Sequence, residues 1–194
     1  MICLTRPSEA KIQAFLANQR GLPLSYPAGE GSFDAPPAGF VRDHHSVKLG
    51  EGPHVYDRAR EALRRWAMSG IGWVEVWPRQ APVVEGSEVA LLGHALGVWC
   101  LFACRVVHVF EGHGPEETFG FSYGTLPGHM LCGEERFRVR WDRKNGSVWY
   151  DLDAYSRPAT LAGRLGYRLV RSIQKRFGPE SLRAMTRAVE GGAG

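Results

Sequence analysis

Metal-binding and disulfide patterns are missing from this chain. Cys3, Cys100, Cys104 and Cys132 are the only cysteines among 194 residues, and none forms a CxxC pair. No zinc knuckle or disulfide framework is available, so the expectation is reduced thiols in a cytoplasmic protein. Cys100 and Cys104 share a strand face but lie roughly 13 Å apart along it, too far to bridge. His44 and His45 are adjacent on a strand and point to opposite faces, and His94, His108 and His113 lack ligand spacing; no metal and no cofactor are expected. Long apolar runs are also scarce. Residues 89–110 come nearest to one, but His94, Arg105 and His108 interrupt them. The interval from His94 to Arg105 is well short of the roughly 20 residues that cross a bilayer. Its Val, Trp and Phe content reads as buried strand, so no transmembrane segment is expected. No basic start with a long apolar core behind it suggests a signal peptide, and there is no internal repeat.

What is present suits one globular domain over 1–194. Hydrophobic residues are 44% of the chain and charged residues 23%, enough for a core and inconsistent with global disorder. The formal charge of +4 is unevenly spread. Residues 1–135 hold 11 Lys/Arg and 15 Asp/Glu, and residues 136–194 hold 13 and 5. The basic character therefore belongs to the last third, as a solvated face or toward an anionic partner.

Residues 7–20 read as a helix with Ile12, Phe15 and Leu16 as its apolar stripe, stopped by Gly21 and Pro23. A Pro/Gly-rich segment follows to residue 39, with Tyr26, Phe33 and Phe40 available to pin it. Residues 40–49 read as a short strand, and 53–68 as a helix with Val55, Ala59, Ala62, Leu63 and Trp66 on one face. Six strands are expected near 71–77, 87–92, 97–111, 117–126, 134–142 and 147–156, with Asn145-Gly146 as a hairpin turn. Pro158 is expected to open a long helix with Leu161, Leu165, Leu169, Ile173 and Phe177 on its buried side. Gly178-Pro179 should break it before a short helix carrying Leu182, Met185 and Val189. The order defines an α+β, helix-grip arrangement: a curved antiparallel seven-stranded sheet wrapped around a long C-terminal helix, with an extra N-terminal helix. Within the single domain, 1–39 are the N-terminal helix and loop, 40–177 the core, and 178–194 the short last helix and tail. Where such a sheet and helix do not close fully, a cavity remains between them.

The least ordinary stretch is 118–135, TFGFSYGTLPGHMLCGEE. Alternation sorts its faces. Phe119, Phe121 and Tyr123 share one side, and Glu135, Phe137, Val139 and Trp141 share one side of the next strand, opposite Glu134, Arg136, Arg138 and Arg140. The aromatic sets should face the helix and the arginines should face water. Val148, Tyr150, Leu152 and Ala154 are inward if Asp151 and Asp153 are solvated. Gly124 to Gly128 reads as a hairpin rim carrying His129.

The chain resembles the DUF1990 family, within the START/birch-pollen-allergen-like (SRPBCC) helix-grip superfamily. The matching pieces include Ser25-Tyr26, Pro37-Ala38-Gly39-Phe40, Leu49-Gly50-Glu51-Gly52, Ala62-Leu63-Arg64-Arg65-Trp66 and Cys104-Arg105-Val106-Val107. The most specific are Phe121-Ser122-Tyr123-Gly124-Thr125-Leu126-Pro127-Gly128-His129 and Gly133-Glu134-Glu135-Arg136-Phe137. Trp149-Tyr150 and Ser156-Arg157-Pro158-Ala159 complete the set. The resemblance implies a fold and a pocket, and no reaction. Met130-Leu131-Cys132 departs from the more polar turn expected there.

Three functions follow as expectations. The first is binding of a hydrophobic or amphipathic small molecule in the central cavity, with Phe119, Phe121, Tyr123, His129, Glu135, Phe137, Trp141 and Tyr150 as contacts. The second is a cyclase- or hydrolase-like enzyme in the same cavity, with Tyr123, His129 and Glu135 as acid/base groups. An inward carboxylate needs a partner or a raised pKa; if Arg105, buried in its strand, pairs with Glu135, the latter is a structural ion instead. The third is an anionic partner, such as a membrane surface, on the basic stripe Arg164, Arg168, Arg171 and Lys175. No nucleic-acid motif or aromatic platform accompanies that stripe.

Overall fold

The computed structural model describes residues 1–27, 33, 35–159 and 167–191, the side chains of 167–170 excepted. In chain order the elements are β1 (Ile2–Cys3), α1 (Glu9–Ala17), β2 (Val41–Glu51), α2 (Pro53–Arg64), β3 (Val74–Trp77), β4 (Glu88–Ala95), β5 (Val98–Gly112), β6 (Glu116–Thr125), β7 (Leu131–Asp142), β8 (Ser147–Pro158) and α3 (Tyr167–Glu190). The strands form one antiparallel sheet in the order β2-β8-β7-β6-β5-β4-β3. The seven expected strands make that path, and β1 adds an eighth beside β5, pairing Ile2 with Cys100. The sheet curves around α2 and α3, which is the helix-grip fold.

The concave face holds the main core. Phe119, Phe121, Phe137, Tyr150 and Leu152 from the sheet meet Tyr56, Leu63 and Trp66 from the α2 region and Met185 and Val189 from α3. These rings pack on one another: Trp66 lies edge-on to Phe121 at 4.9 Å, and Phe121 meets Phe137 at 5.3 Å. Each buried aromatic removes on the order of 150–250 Å² from water, so this cluster dominates the fold's stability. α1 sits on the opposite face, where Ile12 and Leu16 cover Ala90, Leu92, Leu101 and Ala103. Ser8 caps α1 by accepting the Lys11 N–H.

The C-terminal helix differs from expectation. Pro158 closes β8, and α3 runs on through Pro179 to Glu190 without breaking at Gly178-Pro179. Gly178 is buried against the His45 imidazole of β2, where any side chain would collide. Pro179 is exposed, so the carbonyl that its missing N–H leaves unpaired faces water. The apolar positions Leu161 and Leu165, with Arg164, and the side chains of Leu169 and Arg168, lie outside the described residues.

Asp151 and Asp153 are not solvated: both are 2% exposed. The inward phase of Val148, Tyr150, Leu152 and Ala154 still holds, because the outer face is covered by its own arginines. Arg138 and Arg140 both bond Asp151, Arg136 bonds Asp153 at 2.8 Å, and Arg42, His44 and Ser46 of β2 complete the ladder. The arginines expected to face water are therefore the roof over two buried carboxylates. These bonds hold Asp153 below the usual aspartate pKa despite burial, which pushes the other way.

Candidate functional site

A cavity of about 330 Å³ lies between α3 and the end of the concave face nearest β3, β4 and β5. Its wall includes Trp73, Leu91, Val98, Cys100, Phe102, Leu131, Ile173 and Phe177. The alternation that fills the main core also builds this wall, because both use the inward positions of β4 to β8. At this end the side chains of the sheet and of α3 line a space instead of filling it.

Three polar side chains named from the sequence reach the same cavity: Tyr123, His129 and Glu135. Tyr123 and Glu135 are paired across β6 and β7, and the phenol donates to Oε2 of Glu135 at 2.5 Å. Burial pushes the Glu135 carboxyl up to about 7; the Tyr123 hydrogen bond pulls it down and the charge of Asp43 adds to the rise. Burial, then the charge of Glu135, pushes the Tyr123 phenol upward, so it stays a donor. His129 sits on the β6–β7 connection. Its Nδ1 accepts the Leu131 N–H at 3.1 Å, and its ring lies 4.4 Å from that of Phe102. Burial lowers its pKa to about 4, so the imidazole is neutral at neutral pH, with Nε2 carrying the proton. Neither charge nor a strong base is fixed here at rest. The site holds a carboxyl poised between its two states, backed by a phenol, with a neutral imidazole nearby.

The other sequence-named residues lie apart from the cavity. Phe119, Phe121, Phe137 and Tyr150 are in the packed core, and Tyr150 bonds Ser181 of α3 at 2.9 Å. Phe119 is roofed by the guanidinium of Arg64 at 4.5 Å. Trp141 packs beside Tyr56, with Arg143 above its ring. Arg105 does not meet Glu135. It points to the outer face and pairs with Glu88 of β4 at 2.7 Å. Glu135 is thereby left with a neutral partner. The adjacent Glu134 faces outward, gripped by Tyr26 at 2.7 Å and Tyr155 at 2.9 Å beneath Phe33 and Phe40. The hairpin rim is shorter than expected, because Gly124 lies inside β6, its face against Tyr26.

The basic stripe of α3 is not simply a solvated back either. Arg171 is paired with Asp43 of β2 and bonds Gln174, whose own amide reaches Ser156 at 2.8 Å. Among the described residues no group of three His, Cys, Asp or Glu is placed to hold a metal, and no helix is long and apolar enough to cross a membrane. A groove of about 650 Å³ runs between α1 and the β3–β4 region, past Gln13, Arg20, Trp77 and Glu88. Its carboxylate is already spent on Arg105.

Sequence reasoning did not name Trp73, Leu91, Phe102, Ile173 or Phe177 as cavity wall. Turn chemistry did not mark the Leu96-Gly97 turn that positions the β4 and β5 part of this wall. A two-residue turn there fixes the register of β4 and β5, placing Glu88 opposite Arg105 and Leu91 opposite Phe102.

Fold and site together define a helix-grip protein with a cavity under its C-terminal helix. Comparison with known proteins agrees on the fold. The chain belongs to the family described as a domain of unknown function (DUF1990), whose model matches residues 25–184. It is 36% identical over 155 residues to the UPF0548 protein At2g17695 of Arabidopsis thaliana, covering 78% of this chain and 74% of the relative. It is 34% identical over 200 residues to a UPF0548 protein of Deinococcus radiodurans, covering 97% and 98%. Among solved structures, the Zhui aromatase/cyclase from Streptomyces sp. R1128 aligns with a TM-score of 0.51 at 13% identity, covering 78% of this chain and 94% of that one. That likeness is one of fold.

Proposed function

We propose that the protein binds an amphipathic small molecule, its apolar body along Leu91, Phe102, Leu131, Ile173 and Phe177 and its polar end at Glu135 and Tyr123. The observation that carries this reading is the Tyr123–Glu135 pair on the wall of a largely apolar cavity. A polar pair in such a wall is costly unless something polar meets it, and a ligand hydroxyl, carbonyl or amine does so. The volume of about 330 Å³ suits a compact ligand. Displacement of a fluorescent apolar probe, with native mass spectrometry of the purified protein, tests it. The wild type takes up the probe. Leu91→Trp, which fills the space, loses uptake while keeping its thermal stability. Equal uptake by Leu91→Trp removes the reading.

A second reading places acid/base chemistry of a cyclase or hydrolase type in the same cavity. It is favoured by the carboxyl of Glu135, which burial brings to about 7. A group near that value both gives and takes protons at neutral pH. Tyr123 would hold and orient the carboxyl, and neutral His129 would offer Nε2–H to a substrate oxygen. A turnover screen with wild type and Glu135→Gln separates the two: binding retained without any Glu135-dependent turnover leaves only the first.

A further inference from the structure

The turn between β4 and β5 is built against its own sequence. Ala95 pairs with Val98, leaving Leu96 and Gly97 as the two central residues at φ +53° and +76°. Such a turn is served by Asn-Gly or Asp-Gly, since a leucine side chain clashes with its own backbone at positive φ. The leucine gains little from packing, because it is 74% exposed. A residue that costs backbone strain and leaves its apolar surface in water does not serve stability, and strain of this kind points to a function.

Leu96 is also on the cavity wall, as is Ile2 of β1, which is 65% exposed. Wall residues this exposed mark the mouth. Leu4, just beyond β1, is 84% exposed. Half-buried Trp73 is on the same wall, and half-buried Trp99, between the wall residues Val98 and Cys100, lies on the other face of the sheet with α1. Cations stand on both sides. Lys11 approaches Cys3, whose backbone pairs with Trp99, and exposed Lys175 follows Gln174 of the cavity wall. Arg6 lies over Trp99 and Arg176 over Trp73, paired with Glu75 and Glu180. Among the described residues, Lys11 and Lys175 have no carboxylate partner.

We propose that this rim, led by Leu96 and Ile2, docks on the surface of an anionic lipid bilayer. Protruding aliphatic side chains, an interfacial tryptophan and flanking cations are the combination a headgroup layer accepts: apolar tips enter the acyl boundary, the ring sits at the interface, and lysines meet the phosphates. Docking there sets the cavity mouth against the apolar phase. Exchange of an apolar ligand with the bilayer would then rest on the binding reading above, whereas docking itself does not.

The test is flotation with vesicles of phosphatidylcholine, with and without phosphatidylglycerol, at low and high salt. The wild type floats with the anionic vesicles, less so as salt rises. Leu96→Asn lowers that partition roughly 10-fold or more, the loss expected for one apolar side chain withheld from the boundary. It also raises the unfolding temperature, because asparagine suits the turn. Ile2→Ser lowers partition in the same direction, and Lys11→Glu with Lys175→Glu removes the preference for anionic lipid. Failure of the wild type to float, equal flotation of Leu96→Asn, or equal binding to neutral vesicles overturns the proposal. Probe uptake, measured in parallel without lipid, reports on the cavity separately.

Discussion

Tyr123 and Glu135 face each other across β6 and β7, with the phenol bound to the carboxyl at 2.5 Å. The same ring packs on Trp66 and on Phe137, so the core fixes the phenol before it meets the acid. The hydrogen bond favours the ionised carboxyl, and burial opposes it. Tyr123→Phe keeps the packing and removes only the donor. The Glu135 titration, followed by carboxyl carbon NMR, should move upward from about 7. Stability near neutral pH should fall by about 1 kcal/mol, the typical worth of such a bond. A midpoint that stays in place would show that burial alone sets the acid.

Glu135 and His129 give opposite pH dependences. For Glu135, with a folded value of about 7 against an ordinary 4.5, the folded protein holds the proton more tightly. Stability is highest below 4.5 and falls as pH rises to 7. For His129, with a folded value of about 4 against 6.5, the unfolded chain holds the proton more tightly. Stability is highest above 6.5 and falls as pH drops toward 4. The slopes oppose one another where the windows overlap. Denaturant titrations across this range should therefore show Glu135→Gln gaining about 2 kcal/mol over wild type at pH 8, a value reduced for the carboxyl's contact with cavity water. The same variant should become more sensitive to acid below pH 6.5, exposing the histidine slope alone.

Asp151 ties Arg138, Arg140 and Ser46 together on the outer face while almost wholly buried. Asp151→Ala leaves those cations without their shared anion and should cost about 3–5 kcal/mol in chemical unfolding. Asp151→Leu combined with Arg138→Met should recover part of that loss, since apolar packing replaces a buried ion pair at little net cost. If the single change costs no more than an exposed pair, the ladder is not a structural seam.

Gly178→Ala should destabilise the protein although the same change in an open helix gains about 1 kcal/mol. The added methyl collides with the His45 ring, and overpacking of this kind costs about 1–3 kcal/mol. His45→Ser should restore most of the loss in the double variant. Additive effects in that cycle would mean that α3 does not approach β2 through Gly178.

Much of the architecture was legible because strands alternate and turns carry their own residues. Phe119, Phe121, Tyr123, Glu135 and Phe137 fell on the inward face by period alone. Turn chemistry misled in two places. Asn145-Gly146 lies in a wider loop, with only Gly146 at positive φ, while the two-residue turn is made by Leu96, a residue no propensity rule would place there. Burial of Asp151 and Asp153 was hidden for a different reason: alternation tells which residues share a face, and it does not tell that arginines on that face will fold down over the acids. The break assigned to Gly178-Pro179 failed because a proline is tolerated where its lost hydrogen bond faces water. For the site, the three polar residues were legible and the wall was not, since curvature of the sheet decides where α3 leaves room.

The pairing of β2 with β8 joins residues 41–51 to residues 147–158. During synthesis β2 is made before β8 and has no neighbour in the sheet until β8 has emerged, so the seam between the first and last strands of the path cannot close before then. Until then β2 has both edges open and the concave face is incompletely covered, and pairing across so long a sequence separation is the kind that slows folding and exposes edges to aggregation.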